Sequence, residues 1–491
     1  MTDNSRHNAP FFPVPAENNR FLASEKEEYD YQNLFGFAEW LSEETDEINF
    51  SETAPLFICH QSDDKVLFLI AACYLLKIPF ISVHEDFSEN DARSLKSLIQ
   101  PPLIFSDRSG DFDKIFSARE LHISDSQLNL KGTFNSKLFS LQDSEKIAGL
   151  FLTSGSTGVP KIVPIKRRQV LFATKASGEN FKPGINKFWL LCLPLNHVGG
   201  ISIILRSLLY GSAIYRIDSF DSGKVSRLLA ENRDFEVASM VPTMLINMMD
   251  DSKFQTHPKF KAILLGGGPI TPELIEWAAT RGIPIVTSYG LTETFAQIAA
   301  NPILLPRGMY FPKNSVGTIF QPNSIQIRDD EGKKQHIRES GQIWLKGPQV
   351  FDGYLADELN KSVFDSEGWF NTGDYGYLNY RNQLFVETRR TDLIITGGEN
   401  VNPENVEQVI NSFPGILQSG VVGIHDKKWG QRVVAFYSTT GEDIELNELK
   451  NFLKEELLAF QIPKEFIRLN ELPVTSLGKI KRKELIQAYK V

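Results

Sequence analysis

Residues 56–59 are an unbroken apolar run of strand length, and 63–76 is a helix-length segment opened by acidic residues and apolar from Val66 on. Pro79 interrupts the chain and a second short apolar run covers 80–83. Two strand-length runs around one helix-length run read as a β-α-β unit. The succession recurs at 188–193, 198–209 and 262–265, where the apolar run enters Gly266, Gly267 and Gly268. Several parallel-sheet units are implied, so the fold class is α/β. There is no fixed-period repeat and no low-complexity segment, and the polar residues 1–30 are expected to be partly disordered.

From about residue 390 the elements shorten. The pattern predicts a helix over 403–413, strands over 418–424 and 433–437, and a helix over 446–458. This is a small α+β domain of about 100 residues. The predicted organisation is a large domain over 1–389, built of α/β subdomains, and a small one over 390–491. The junction Arg389-Arg390-Thr391-Asp392 is charged with strand-like sequence on both sides, and reads equally as a hinge or as a continuous strand.

Composition narrows the classes. With 491 residues, 42% apolar and 23% charged, the chain can bury a large core. Its formal charge of −9, with no long basic run, argues against electrostatic nucleic-acid binding. Cys59, Cys73 and Cys192 have no paired spacing, against a disulfide framework or zinc cluster and in favour of a reducing cytoplasm. The N-terminus lacks a signal-peptide core. The most hydrophobic run, 66–76, has 11 residues and is too short to span a bilayer, so no membrane span is expected.

The densest chemistry is Thr153-Ser154-Gly155-Ser156-Thr157-Gly158-Val159-Pro160-Lys161, between apolar runs 149–152 and 162–165. Four hydroxyls and two glycines in six residues let O–H and N–H groups surround an anion, and phosphate is the ligand this suits. It is not a Walker A loop, since the Lys-Ser/Thr pair and the following helix are both missing. Ser288-Tyr289-Gly290-Leu291-Thr292-Glu293-Thr294 follows the apolar run 283–287. Its carboxylate beside hydroxyls suits Mg²⁺, although Thr-Glu-Thr taken alone reads as well as a helix cap. Gly266-Gly267-Gly268 permits close approach of a flat ring that Tyr289 would stack on, or is simply a loop. Asp374, in Gly368-Trp369-Phe370-Asn371-Thr372-Gly373-Asp374, is read as an acid after a tight turn, either a ribose acceptor or a plain turn. Gly397-Gly398-Glu399-Asn400-Val401-Asn402-Pro403 and Leu477-Gly478-Lys479-Ile480-Lys481-Arg482 complete the set.

In this order and spacing the segments resemble the acyl-adenylate-forming superfamily: acyl- and aryl-CoA synthetases, peptide-synthetase adenylation domains and luciferases. The resemblance covers 145–485 and implies a large N-terminal domain with a small mobile C-terminal domain. It implies that Thr153, Ser154, Gly155, Ser156, Thr157, Gly158 and Lys161 bind phosphates, that Thr292 and Glu293 serve ATP and Mg²⁺, and that Gly267, Gly268 and Tyr289 wall the adenine. Asp374 would hold the ribose, Arg389 would contact the nucleotide, and Lys479 would serve the first half-reaction. The hinge position, often Asp or Lys in the family, is Thr391 here with Asp392 next. Gly397, Gly398 and Glu399 would serve the CoA step.

Within the superfamily, Leu193-Pro194-Leu195-Asn196-His197-Val198-Gly199-Gly200, Val241-Pro242-Thr243-Met244-Leu245 and Lys428-Trp429-Gly430-Gln431 are most similar to the o-succinylbenzoate–CoA ligase subfamily, with Asn196 standing where that subfamily commonly has Phe. His197 would then be a catalytic residue, where a lone His beside an apolar helix would otherwise read as a satisfied core residue. Arg206, conspicuous in an apolar helix, would hold the acid's second carboxylate, with snorkelling to solvent or a local acidic partner as the alternative. The expected substrates are ATP with Mg²⁺, coenzyme A and a small carboxylic acid. Another aryl- or fatty-acyl-CoA synthetase, an enzyme loading a carrier protein, and a non-catalytic nucleotide-binding protein are the alternatives.

Overall fold

The computed structural model describes residues 14–489 except 86, 108–111, 142–143, 154–160, 269, 304–314, 330, 390–393, 397–398, 427–428, 440, 442–443, 458, 476–477 and 479. The chain divides into two compact units. The first runs to Ile325 and takes in Trp344–Phe370 and Asn382–Leu384; the second comprises Gln326–Ile343, Asn371–Arg381 and Phe385–Val491. The second unit thus includes segments N-terminal to residue 390, and Asp374 lies in it.

The first unit contains two sheets. In one, Leu56–Cys59 pairs in parallel with Phe80–Val83 (Leu56 opposite Phe80), and helix Asp64–Leu76 connects them. Asp63 caps this helix through Val66 N–H at 3.0 Å, Lys77 closes it in the left-handed conformation, and every residue from Val66 to Leu75 is buried. An apolar helix without a polar face forms only where both sides are covered. The sheet order is Arg119–Glu120, Leu103–Ser106, Leu56–Cys59, Phe80–Val83, Ile147–Thr153, Lys161–Lys166, and its last pair is an antiparallel hairpin. Among the described residues no helix is long and apolar enough to cross a membrane.

The second sheet carries parallel strands in the order Arg20–Ala23, Ala213–Arg216, Phe188–Leu191, Phe235–Met240, Ala262–Leu265, Ile285–Leu291. Its core gathers Leu190, Ala238, Met240, Ile263 and Ile285 with helix residues such as Leu245, Leu274 and Ala278. The first strand corrects the expectation of disorder over 1–30 within its described part. Phe21 and Leu22 are fully buried, and Leu22 pairs with Ile214. Its order comes from a partner far along the chain, which local polarity cannot reveal.

In the second unit, helices Pro403–Asn411 and Leu446–Glu456 cover the antiparallel pair Ile416–Asp426 and Gly430–Thr439, with Val406, Ile410, Val421, Ala435, Leu449 and Leu453 in the core. These elements lie where the patterning places them, with ends shifted by a few residues.

Candidate active site

Parallel strands end at a common edge, and the loops leaving that edge are where α/β sheets bind ligands. Three sequence motifs of the first unit occupy it. Gly266–Gly268 follows Ala262–Leu265, His197 follows Phe188–Leu191, and the Tyr289 segment extends Ile285–Leu291.

The strand does not end with the apolar run 283–287 but takes in the Tyr289 segment. The strand continues through Leu291 because it folds back antiparallel onto Ala296–Ala300, with Tyr289 opposite Ala299. Gly290 is required there, since a Cβ would lie 1.8 Å from the Ala296 carbonyl oxygen. A 3₁₀ turn, Thr292–Thr294, closes the hairpin. Phe295 and Ala296 follow with φ of 46° and 72°, a conformation side chains resist. Thr294 Oγ1 holds the turn, accepting Leu291 N–H at 3.0 Å and donating to Ala296 O at 2.9 Å. Gln349 Nε2 donates to Thr294 O at 2.8 Å and also to Gln297 O. The turn holds Glu293 buried and Thr292 half-buried.

Glu293 Oε1 accepts the Tyr354 hydroxyl at 2.7 Å, and the ammonium of Lys161 lies 5.1 Å from the Tyr354 ring centroid. Lys161 is opposite Thr153 at the end of the hairpin that flanks residues 154–160. The structure thus brings the last residue of the phosphate motif to the candidate metal carboxylate through a tyrosine that no motif flagged. Ser154, Gly155, Ser156, Thr157 and Gly158 lie outside the described residues. Among the described residues no group of three or more His, Cys, Asp or Glu side chains could cage a metal. One carboxylate with neighbouring hydroxyls fits Mg²⁺, which takes few protein oxygens and fills its shell with phosphate and water.

In the glycine loop, Gly267 adopts φ +78°, and a Cβ on Gly266 would lie 2.9 Å from Ser288 Oγ, which donates to Leu265 O at 2.8 Å. Glycine therefore keeps this loop against the strand that carries buried Tyr289.

His197 is the N-cap residue of helix Val198–Tyr210. The glycine pair after it has a packing reason, since a Cβ on Gly200 would lie 2.3 Å from Pro194 O. Asn196 Nδ2 lies 3.5 Å from His197 Nε2, and Leu195 N–H donates to Ser62 Oγ at 3.0 Å, tying the loop to the other sheet. Arg206, nine residues on, is 3% exposed, so it does not snorkel. Its guanidinium carbon is 5.0 Å from the Trp189 ring centroid, and Nη1 has no hydrogen-bond partner. Burial pushes its pKa down to about 10, opposed by Tyr210, and no carboxylate is among the influences on it.

In the second unit Asp374 is buried, but not after a tight turn: it lies inside strand Phe370–Leu378. Gly373 (φ +76°) marks an irregularity within that strand, which explains a turn-like sequence in extended surroundings. Thr372 Oγ1 accepts Asp374 N–H at 3.1 Å and donates to Ile343 O at 2.9 Å, while Asn371 Nδ2 donates to Gln342 Oε1 at 2.6 Å. Arg389 ends strand Gln383–Arg389, and Glu399 begins Glu399–Val401, opposite Thr396. Thr391, Asp392, Gly397, Gly398 and Lys479 lie outside the described residues. Around Lys479, Gly478 N–H donates to Thr475 O at 2.8 Å and Ile480 bridges Val474. Arg482 then grips buried Glu407, with Nη2 2.8 Å from each carboxylate oxygen. Glu407 also accepts Val421 N–H at 2.7 Å. Sequence reading missed this pair, because its partners are remote along the chain.

Comparison with known proteins agrees with this geometry. The AMP-binding enzyme family model matches residues 48–355, and the model of the AMP-binding enzyme C-terminal domain matches 405–479. A 2-succinylbenzoate–CoA ligase of Listeria monocytogenes is 36% identical over 349 residues, 71% of this chain and 72% of that one. The o-succinylbenzoate CoA synthetase of Bacillus subtilis, solved with the acyl-adenylate intermediate, superposes with a TM-score of 0.84 at 29% identity, covering 95% of each chain. The same enzyme solved with ATP and magnesium gives 0.84 at 28%, covering 95% of this chain and 96% of that one. The chain belongs to the AMP-binding enzyme family.

Proposed function

We propose that the protein is an ATP-dependent acid–CoA ligase that makes an acyl-adenylate and then an acyl-CoA thioester, with o-succinylbenzoate as the acid, and so serves menaquinone biosynthesis. The observation that carries this reading is the joint placement of Lys161, Tyr354 and Glu293 beside the glycine-and-tyrosine edge of a parallel sheet. The named relatives act on this acid, and an unpaired buried cation on the helix after His197 suits a second carboxylate.

A carboxylate is a poor electrophile. In the first step its oxygen attacks the α-phosphorus of ATP, and the bond to pyrophosphate breaks. In the second the CoA sulfur attacks the acyl carbon, AMP leaves, and the thiol proton passes to solvent. Magnesium, when bound, offsets phosphate charge, and Glu293 with Thr292 would hold it. Lys161 and the hydroxyls of 153–157 bind phosphate, Gly267, Gly268 and Tyr289 hold the adenine, and Asp374 and Arg389 hold the rest of the nucleotide. Lys479 stabilises charge developing at the α-phosphate, an effect worth on the order of 10²–10³ in rate per group. Movement of the 390–491 domain about Thr391 and Asp392 withdraws Lys479 after the first step and brings Gly397, Gly398 and Glu399 to the second. Arg206 pairs with the spectator carboxylate. Use of ATP and CoA fits a cytoplasmic enzyme.

Pyrophosphate release over a panel of acids, each with and without CoA, tests the proposal. The expected result is adenylation of o-succinylbenzoate without CoA, and continuous turnover to AMP with it. Formation of ADP, or preference for a benzoate or fatty acid, refutes it.

A further inference from the structure

We infer that Tyr354 is a positioning residue that orients the Glu293 carboxylate and the Lys161 ammonium and keeps them from neutralising one another, an inference that rests on the reading of those groups as metal and phosphate ligands. The contacts run in series. The Lys161 ammonium lies 5.1 Å from the ring centroid, and the hydroxyl at the other end of the same residue donates to Glu293 Oε1 at 2.7 Å. A lysine and a carboxylate that met directly would form an ion pair, and neither would then be available to a metal–triphosphate ligand. Tyrosine serves both without joining them, since its face attracts the cation and its O–H satisfies the anion. Phenylalanine could do only the first, and a second acid or base would ion-pair with one of the two groups and repel the other.

The segment bearing the tyrosine is fixed at the two groups it serves. Phe351 N–H donates to the carbonyl of Glu293 itself at 2.8 Å, and Leu355 N–H donates to Ile162 O, next to Lys161, at 3.0 Å. Between these anchors, Tyr354 N–H donates to Asn360 Oδ1 at 2.7 Å, and Asn360 Nδ2 returns a bond to Tyr354 O at 3.0 Å. Gly353 (φ +142°) admits this arrangement, since a Cβ there would lie 2.9 Å from Asn360 Oδ1. The ring is 7% exposed and packs edge-on against Phe351 at 4.9 Å. Tyr354 therefore has little freedom, and its hydroxyl can hold the Glu293 carboxylate in one orientation. Groups that orient a metal-binding carboxylate commonly alter metal affinity or activity by about 10- to 100-fold when removed.

The full-length protein carrying Tyr354→Phe or Tyr354→Leu separates the two tasks. One measurement is the Mg²⁺ concentration for half-maximal acyl-adenylate formation. The other is calorimetric binding of ATP across a Mg²⁺ series, which needs no turnover. Tyr354→Phe, which keeps the ring under Lys161, is expected to raise the Mg²⁺ requirement roughly tenfold in both, with the KM for ATP at saturating Mg²⁺ nearly unchanged. Tyr354→Leu is expected to add a severalfold rise in the KM for ATP, because the cation's platform is lost as well. Wild-type Mg²⁺ dependence in Tyr354→Phe overturns the inference, as does equal loss of kcat and melting temperature in both variants without a shift in Mg²⁺ dependence. Glu293→Gln tells apart the two ways of failing. If it leaves Mg²⁺ dependence unchanged, the reading of Glu293 falls; if it shifts that dependence and Tyr354→Phe does not, only the role of Tyr354 falls.

Discussion

Replacing Arg206 by Leu tests the assignment of the acid, and two quantities should move in opposite directions. Burial lowers the Arg206 pKa from 12.5 to about 10, with no carboxylate opposing it. That difference corresponds to about 3 kcal/mol against the charged form. The sign matters: a base whose folded pKa lies below its unfolded one destabilises the folded state fully below the folded value, and the penalty fades only as the pH rises beyond it. At neutral pH the whole penalty is present. The Trp189 ring returns about 1–2 kcal/mol of it, and Nη1 remains without a partner. Arg206→Leu should therefore leave the ligand-free protein as stable as the parent, or raise its melting temperature.

Binding should do the reverse. A carboxylate paired with this guanidinium is itself buried, and truncating one member of such a pair costs about 2–5 kcal/mol. The KM for o-succinylbenzoate should rise at least about tenfold, the equivalent of about 1.4 kcal/mol. A monocarboxylic aryl acid that the enzyme turns over should be spared. Pyrophosphate release gives both constants, and melting curves with and without each acid give the stability changes. An unchanged KM for the diacid, or an equal loss for both acids, would remove Arg206 from the acid site. A fall in the melting temperature of the free protein would show instead that the guanidinium is a structural brace on Trp189.

Lys479→Ala should abolish acyl-adenylate formation while leaving CoA attack on supplied acyl-adenylate largely intact; equal loss of both half-reactions in stopped assays would contradict that division of labour. Thr391→Pro or Asp392→Pro, which fixes φ and removes an N–H, should impair thioester formation more than adenylation. Normal CoA turnover in both variants would exclude rotation about this segment. Glu407→Ala removes the carboxylate partner of the part-buried Arg482 guanidinium, which keeps its contact with Val421 O, a loss of about 1.5–3 kcal/mol. Hydrogen exchange in helix Arg482–Tyr489 should then accelerate while the first unit's sheets keep their protection, and undisturbed exchange in that helix would show the pair to be dispensable.

What the sequence makes legible depends on whether a residue's role is local. The unit from Leu56 to Val83 can be read directly because its strands are buried throughout, so every strand position except Ser82 is apolar. Arg206 stands out for the same reason, as one charge in a helix otherwise fit for burial. Arg20–Ala23 is opaque because its pairing with Ala213–Arg216 supplies the order that its polar neighbours argue against. Asp374 is misread because Thr-Gly-Asp is turn-like in composition, whereas at Gly373 the positive φ serves an irregularity inside a strand. Tyr354 is the clearest case. It lies 61 residues from Glu293 along the chain, and its own surroundings, Phe351 through Leu355, look like any aromatic turn. Only the fold shows that one ring meets both a phosphate-motif lysine and a metal-type carboxylate. The motif residues are legible because each type would be nearly dictated by the ligand proposed for it. A residue that acts through other side chains is dictated by their geometry instead, and that geometry exists only once the chain has folded.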